Sequence, residues 1–174
     1  MAVVPLYRGT PIKLGRMKDS AVTLKSWAQL TTAELYAILK LRTDVFFVEQ
    51  RIDEEELDNR DQEPATEHLW IADAVGTAAY LRVIVDAEPE HRDAHTLIGR
   101  VVVRADRRGE GLARRLMERA LEAHGHEPIL LHAQEYIAGL YAGYGFEAFG
   151  DTYVEAGLPH VMMYRASVAK SLSS

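Results

Sequence analysis

A chain of 174 residues with 48% hydrophobic and 26% charged side chains can bury one sizeable core, and it holds no apolar run near the ~20 residues that a membrane-spanning helix needs. Its net charge of -6 argues against general affinity for nucleic-acid backbones, which requires a surplus of Lys and Arg over much of a surface. The absence of cysteine excludes disulfides, thiolate metal sites and cysteine nucleophiles together, and it fits a reducing cytoplasm.

Residues 1–20 carry Pro5, Gly9, Pro11 and Gly15 among scattered basic side chains, without an apolar core or a small-residue cleavage site. They read as a flexible tail and not as a signal peptide, leaving 21–174 as one domain. Residues 22–30 alternate weakly and predict a first strand. Thr31-Thr32-Ala33-Glu34 has the spacing of a capping box, so a helix starts there, and Leu35, Ile38, Leu39 and 42–46 continue it with an apolar stripe for the core. From 49 to 67 the chain holds nine Asp or Glu against Arg51 and Arg60. This reads as a surface loop or short helix, either a solvated face or the wall of a pocket that attracts a cationic amine.

Two β-branched runs, 68–74 and 77–85, flank Val75-Gly76 and predict a hairpin. The polar stretch 86–95 is an exposed connection to a strand over 96–103, which ends in the buried run Val101-Val102-Val103. Residues 111–124 place Leu112, Leu116, Met117, Ala120 and Leu121 on one helical face and Arg114, Arg115, Glu118 and Arg119 on the other. A strand over 129–133, a short helix over 136–144 closed by Gly145, and strands over 146–149 and 161–165 complete the pattern, with Gly157-Leu158-Pro159 turning between the last two.

The chemistry concentrates where the strand ending at Val103 gives way to a helix through Arg108-Gly109-Glu110-Gly111-Leu112-Ala113. Backbone N–H groups at a helix start lack intrahelical partners, the helix dipole is positive there, and glycine allows close approach. A pyrophosphate satisfies all three conditions, with Arg107, Arg108, Arg114 and Arg115 adding charge. A plain glycine-rich turn is the alternative. The segment is no P-loop, since no G-x-x-x-x-G-K-[ST] occurs, and it lacks the third glycine and the later acidic residue of a dinucleotide fold.

Arg108-Gly109-Glu110-Gly111-Leu112-Ala113 resembles the R-x-x-G-x-A signature of the GNAT N-acetyltransferase superfamily, and Leu140-Tyr141-Ala142-Gly143-Tyr144-Gly145-Phe146 resembles its L-Y-x-x-x-G-F element. In finer detail the chain is similar to the ElaA-like branch, through 41–50, 98–101, 132–134 and 157–160. The resemblance implies an α/β (α+β) GNAT fold whose mixed sheet splays between the strand ending at Val103 and the strand over 129–133, with acetyl-CoA wedged in the opening. Implied coenzyme-binding residues are Val101, Val102 and Val103 through their backbones, together with Arg108, Gly109, Glu110, Gly111, Leu112, Ala113 and Arg114. Tyr141 is the implied general acid.

The general base is unassigned, because the strand over 96–103 has no Asp or Glu. Glu49, His68, His132 and His160 are candidates, led by His160 and then Glu49. No metal-ligand spacing occurs, and His124 and His126 read as surface histidines. The implied activity is acetyl transfer to a primary amine of a small molecule or protein by direct attack. A catalytically silent acyl-CoA-binding module and a structural protein are the rival readings. The partners expected are acetyl-CoA and an amine acceptor, with homodimer formation open and neither nucleic acid nor a membrane involved.

Overall fold

The computed structural model describes residues 21–168. The N-terminal tail expected over 1–20 lies outside them. Thr31 caps helix α1 (Thr32–Arg42): its Oγ1 accepts from the Glu34 amide at 3.2 Å, and Glu34 Oε2 accepts from the Thr31 amide at 2.9 Å. The capping box therefore forms as its spacing predicts. The strand in front of it, β1 (Thr23–Ser26), is shorter than expected, because residues 27–29 wind into a 3₁₀ turn that delivers the chain to the cap.

Beyond Arg42 the helix widens into a π-helical stretch, Thr43–Glu49, with the Gln50 amide bonding the Val45 carbonyl at 3.0 Å. The wider turn keeps Val45 in the core and leaves Phe46 half-buried on the wall of a cleft. Such π segments often occur at functional sites.

Strands β2 (Glu67–Asp73) and β3 (Gly76–Val85) form the expected hairpin, its turn closed by Asp73 Oδ1, which accepts from the amides of Val75 and Gly76. Strand β4 (Thr96–Val103), helix α2 (Leu112–His124), strand β5 (Ile129–Gln134) and helix α3 (Ala138–Ala142) follow. The last two strands, β6 (Glu147–Glu155) and β7 (Leu158–Arg165), run longer than the alternation suggests. Ala156 and Gly157, both at positive φ, make a two-residue turn between them, so Leu158 and Pro159 belong to a strand. Such a turn matches the strands' own twist.

The strands form one mixed sheet in the order β1-β2-β3-β4-β5-β7-β6, with helices on its two faces. On one face, α2 buries Leu112, Leu116, Met117 and Ala120 against Leu69, Ile71, Leu81 and Val83. On the other, Ile38, Leu41 and Val45 pack on Trp70, Tyr80 and Val102. The alternation of strand side chains accounts for this division.

The parallel pair β4 and β5 is matched only at Thr96 with Ile129 and at Leu97 with Leu130. Beyond Leu97 the two strands part. The separation coincides with a bulge in β4, where Arg100 and Val101 together oppose Leu81, and Arg100 takes a left-handed φ of 54°.

The acidic stretch holds that bulge. It is not merely a solvated face, because Glu56, Asp58 and Asp61 alternate with three arginines in a closed ring of ion pairs. Arg42 bonds Asp61 at 2.8 Å, and Asp61 bonds Arg82 at 3.0 Å. Arg82 also pairs with Asp58, which approaches Arg100 at 3.4 Å; Arg100 bonds Glu56 at 2.7 Å, and Glu56 returns to Arg42. Arg42, expected in the helix but outside its apolar stripe, is fully buried here and lies over the Tyr80 ring.

Burial pushes the Asp58 carboxyl up, but its hydrogen bonds to Arg82 and the charges of Arg82 and Arg100 outweigh this and hold it at about 2. Because the folded value lies below the ordinary 3.8, this contribution is complete above the ordinary value and is lost as pH falls from there toward 2. Removing one member of a buried ring leaves its partners uncompensated. Asp61→Asn is expected to cost about 3 kcal/mol in urea unfolding at neutral pH.

Candidate active site

Helix α2 starts at Gly111, with φ 77°, and no side chain caps its first N–H groups. Gly109 also has a left-handed φ, 78°, and a Cβ there would meet nothing within 4 Å, so the loop bends away from its neighbours and leaves an open cradle. The cradle, about 550 Å³, is lined by Val103, residues 107–114 and Leu140. It thus gathers Arg108, Gly109, Glu110, Gly111, Leu112, Ala113 and Arg114 with Val103, as the sequence motif implies.

Leu112 is present only through its backbone, since its side chain lies in the core. Free N–H groups, a positive helix end and glycines without Cβ atoms suit a diphosphate, so the residues present fit the coenzyme.

The arginines around the cradle are not equivalent. Arg107 is engaged by Asp73 and Glu110, and Arg108 makes a two-pronged pair with Glu49, at 2.7 Å for each oxygen, while its Nε donates to the Val103 carbonyl at 3.2 Å. Arg114 approaches Glu118 only at 3.8 Å, which leaves it the freest to meet an anion.

The cleft between β4 and β5 is a cavity of about 330 Å³ bordered by Ile98, Val101, Leu131, Gln134, Tyr141 and His160, among others. It lies beside the cradle: Val101 and Tyr141 line the cleft, and Val103 and Leu140, close to them in the chain, line the cradle. Along this stretch β4 has no strand partner on the β5 side, so its backbone groups are free to meet a ligand. Val102, between them, turns its side chain into the opposite core; only its main chain can take part.

Tyr141 is buried at the base of the cleft, edge-on to Phe146. Burial, helped by the nearby Tyr136, holds its hydroxyl well above the ordinary phenol range, so it carries its proton at neutral pH.

The four base candidates differ sharply. His68 is buried with both nitrogens occupied: Nε2–H donates to the Asp61 carbonyl at 3.0 Å, and Nδ1 accepts from the Tyr80 hydroxyl at 2.8 Å. Burial keeps it neutral, and it faces neither cavity. His132 is exposed, with Tyr153 on one nitrogen and Glu90 on the other. The carboxyl of Glu49 is held below its ordinary value by the hydrogen bonds from Arg108, which weakens it as a base.

His160, only 8% exposed, donates Nδ1–H to the Leu158 carbonyl at 2.8 Å. The neutral ring then offers Nε2 as an acceptor on the cleft wall. Away from the cleft, His124 is not a plain surface residue: half-buried, it bonds Glu67 at 2.8 Å and ties α2 to β2. His126 is exposed beside Glu127.

The acidic stretch does supply Asp58 to the cleft, as one of its two readings had it, but sequence reasoning missed Arg82 and Arg100 beside it and the far wall, where Gln134 donates to Gln50 at 3.1 Å. No local spacing announces them, since they meet from four different elements.

This splayed sheet with its glycine cradle defines a CoA-type acyltransferase architecture, and the chain belongs to the acetyltransferase (GNAT) domain family, whose pattern matches residues 33–166. Within that family it falls in the ElaA-like branch. It is 34% identical to ElaA of Escherichia coli over 147 residues, covering 79% of this chain and 91% of that one. A UPF0039 protein of Mycobacterium tuberculosis is 37% identical over 142 residues, 80% of this chain and 89% of the relative. Among solved structures, an acyl-CoA N-acyltransferase from Pseudomonas aeruginosa superposes with a TM-score of 0.76 at 41% identity, covering 83% of this chain and 98% of its own.

Gly111→Asp would set a carboxylate where a diphosphate fits, and calorimetric titration is expected to show at least a roughly tenfold weaker Kd for acetyl-CoA. Glu49→Gln should have the opposite sign, since it removes a carboxylate that competes for Arg108. Its acetyl-CoA Kd is expected to fall by about two- to fivefold, the size of an exposed ion pair.

Proposed function

We propose that the protein transfers an acetyl group from acetyl-CoA to a primary amine by direct attack. What supports the reading best is a glycine cradle set beside a cleft whose lining includes both Tyr141 and His160. In it, the backbone amides of Val101 and Val103 meet the coenzyme arm, and residues 108–114 hold its diphosphate. Acetyl-CoA supplies an activated thioester.

An aliphatic amine has a pKa of about 10 and is protonated at neutral pH, so it must lose a proton before it can attack. In this reading His160 takes that proton: its Nδ1–H is held by the Leu158 carbonyl, which leaves Nε2 as the acceptor. Backbone N–H groups of the unpaired β4 edge stabilise the negative oxygen that develops as the amine attacks, and the bulge presents them without a competing strand. Tyr141, protonated and buried, donates to the departing thiolate. Two protons leave the nitrogen in all: the first passes to His160 before attack and on to water, and the second, released as the C–N bond forms and the C–S bond breaks, restores the proton that Tyr141 gives to the thiolate.

Tyr141→Phe removes only the hydroxyl. It is expected to lower kcat by about a hundredfold while the acetyl-CoA Kd stays within about twofold of wild type. Unaltered turnover in a thiol-release assay would return Tyr141 to packing, and coenzyme binding without turnover of any amine would favour a silent binding module.

A further inference from the structure

We propose, resting on the acetyl-transfer reading, that the acceptor is a small aliphatic diamine or polyamine whose second ammonium sits in a side pocket next to the reacting centre. A cavity of about 170 Å³ opens beside the cleft, and the two share Phe46, Arg100, Gln134, Glu155 and His160 as lining. Beyond that shared wall it is lined by Phe47, Ile52, Glu54, Glu55 and Glu56. One part of it is apolar and another carries carboxylates, the pairing that a methylene chain ending in an ammonium requires.

The charge balance decides the sign of the ligand. Arg100 is the cation in this wall, and the ring already matches it to Glu56 and Asp58. Glu54 and Glu55 have no ion pair among the described residues. Among the described residues the Glu155 side chain meets the Tyr153 hydroxyl at 3.3 Å and His132 Nδ1 at 4.0 Å. The pocket therefore presents uncompensated negative charge, which attracts a cation and repels the carboxylate of an amino acid.

A second and independent observation comes from His160, which is more than nine-tenths buried. Its Nδ1 is consumed by Leu158, and its Nε2 has no partner among the described residues although it stands on the wall common to both cavities. One amine of the acceptor passes a first proton to this nitrogen and attacks to form the C–N bond, and its second proton, lost as the amide forms, returns to Tyr141. The C–S bond breaks, Tyr141 protonates the thiolate, and the other amine stays an ammonium between Glu54 and Glu55. A monoamine gains nothing from the side pocket.

The test compares 1,4-diaminobutane and 1,5-diaminopentane with n-butylamine, beside a wider amine panel, by thiol release at saturating acetyl-CoA in wild type and in Glu54→Gln/Glu55→Gln. In wild type, kcat/KM for the diamines is expected to exceed that for butylamine by about tenfold at low salt. In the double variant that ratio should collapse toward one, chiefly through KM, while calorimetry finds the same acetyl-CoA Kd. Equal kcat/KM values in wild type, or a preference that survives the double substitution, overturns the diamine assignment. Thiol release with other panel amines alone overturns it too but leaves the acetyl-transfer reading standing. Silence with every amine removes both.

Discussion

Three arginines and three carboxylates, alternating around a closed ring, tie the acidic loop to the end of α1 and to two neighbouring strands. Arg42 comes from the end of α1, Arg82 from the middle of β3, Arg100 from the bulge of β4, and the acids from a loop with little regular structure. Buried ion pairs are costly to desolvate, and a hydrophobic cluster of equal volume is often at least as stable. The ring's value lies in geometry. Each acid bridges two arginines, so shifting one element breaks contacts with two others, and the loop is pinned as the inner wall of the cleft.

The same ring accounts for an unusual backbone. A non-glycine residue at a left-handed φ inside a strand costs about 1 kcal/mol or more, and such strain persists where the surroundings overdetermine it. Arg100 is in that position, its guanidinium held by Glu56 and Asp58. The bulge it forms shifts the register between β3 and β4 by one residue, in the part of β4 that no longer pairs with β5. A loop of acids, a strained strand residue and an open sheet are thus parts of one mechanical arrangement. It exposes the β4 main chain to a ligand on one side and keeps the acceptor wall in place on the other.

The division of labour across the sheet follows from it. The α2 side is conventional: an amphipathic helix seals an apolar face, and its uncapped start faces the cradle. The α1 side carries the smaller apolar cluster and the charges. The part of the molecule around the cradle is accordingly held by packing, and the part around the cleft by electrostatics and a π-helical segment that places Phe46 against it.

Local patterns in the sequence were enough for much of this. The Thr31 capping box, the β2–β3 hairpin, the apolar face of α2 and the glycine turn before it are decided by neighbours within a few residues, and each formed where its spacing placed it. Resemblance extended that reading to the splayed sheet. The ring was not legible, because Arg42, Arg82 and Arg100 are far apart in the chain and an acidic run looks the same whether it is solvated or paired. Nor could spacing separate the histidines. His68 is closed off by Tyr80 and Asp61, whereas His160 keeps one nitrogen free on a cleft wall, and that difference arises only from strand register and the turn at Ala156-Gly157. Sequence determined the elements and the glycine cradle, since both are local. Tertiary structure alone decided which charges are spent on each other and which are left for an acceptor, since Coulomb interactions depend on distance in space and not along the chain.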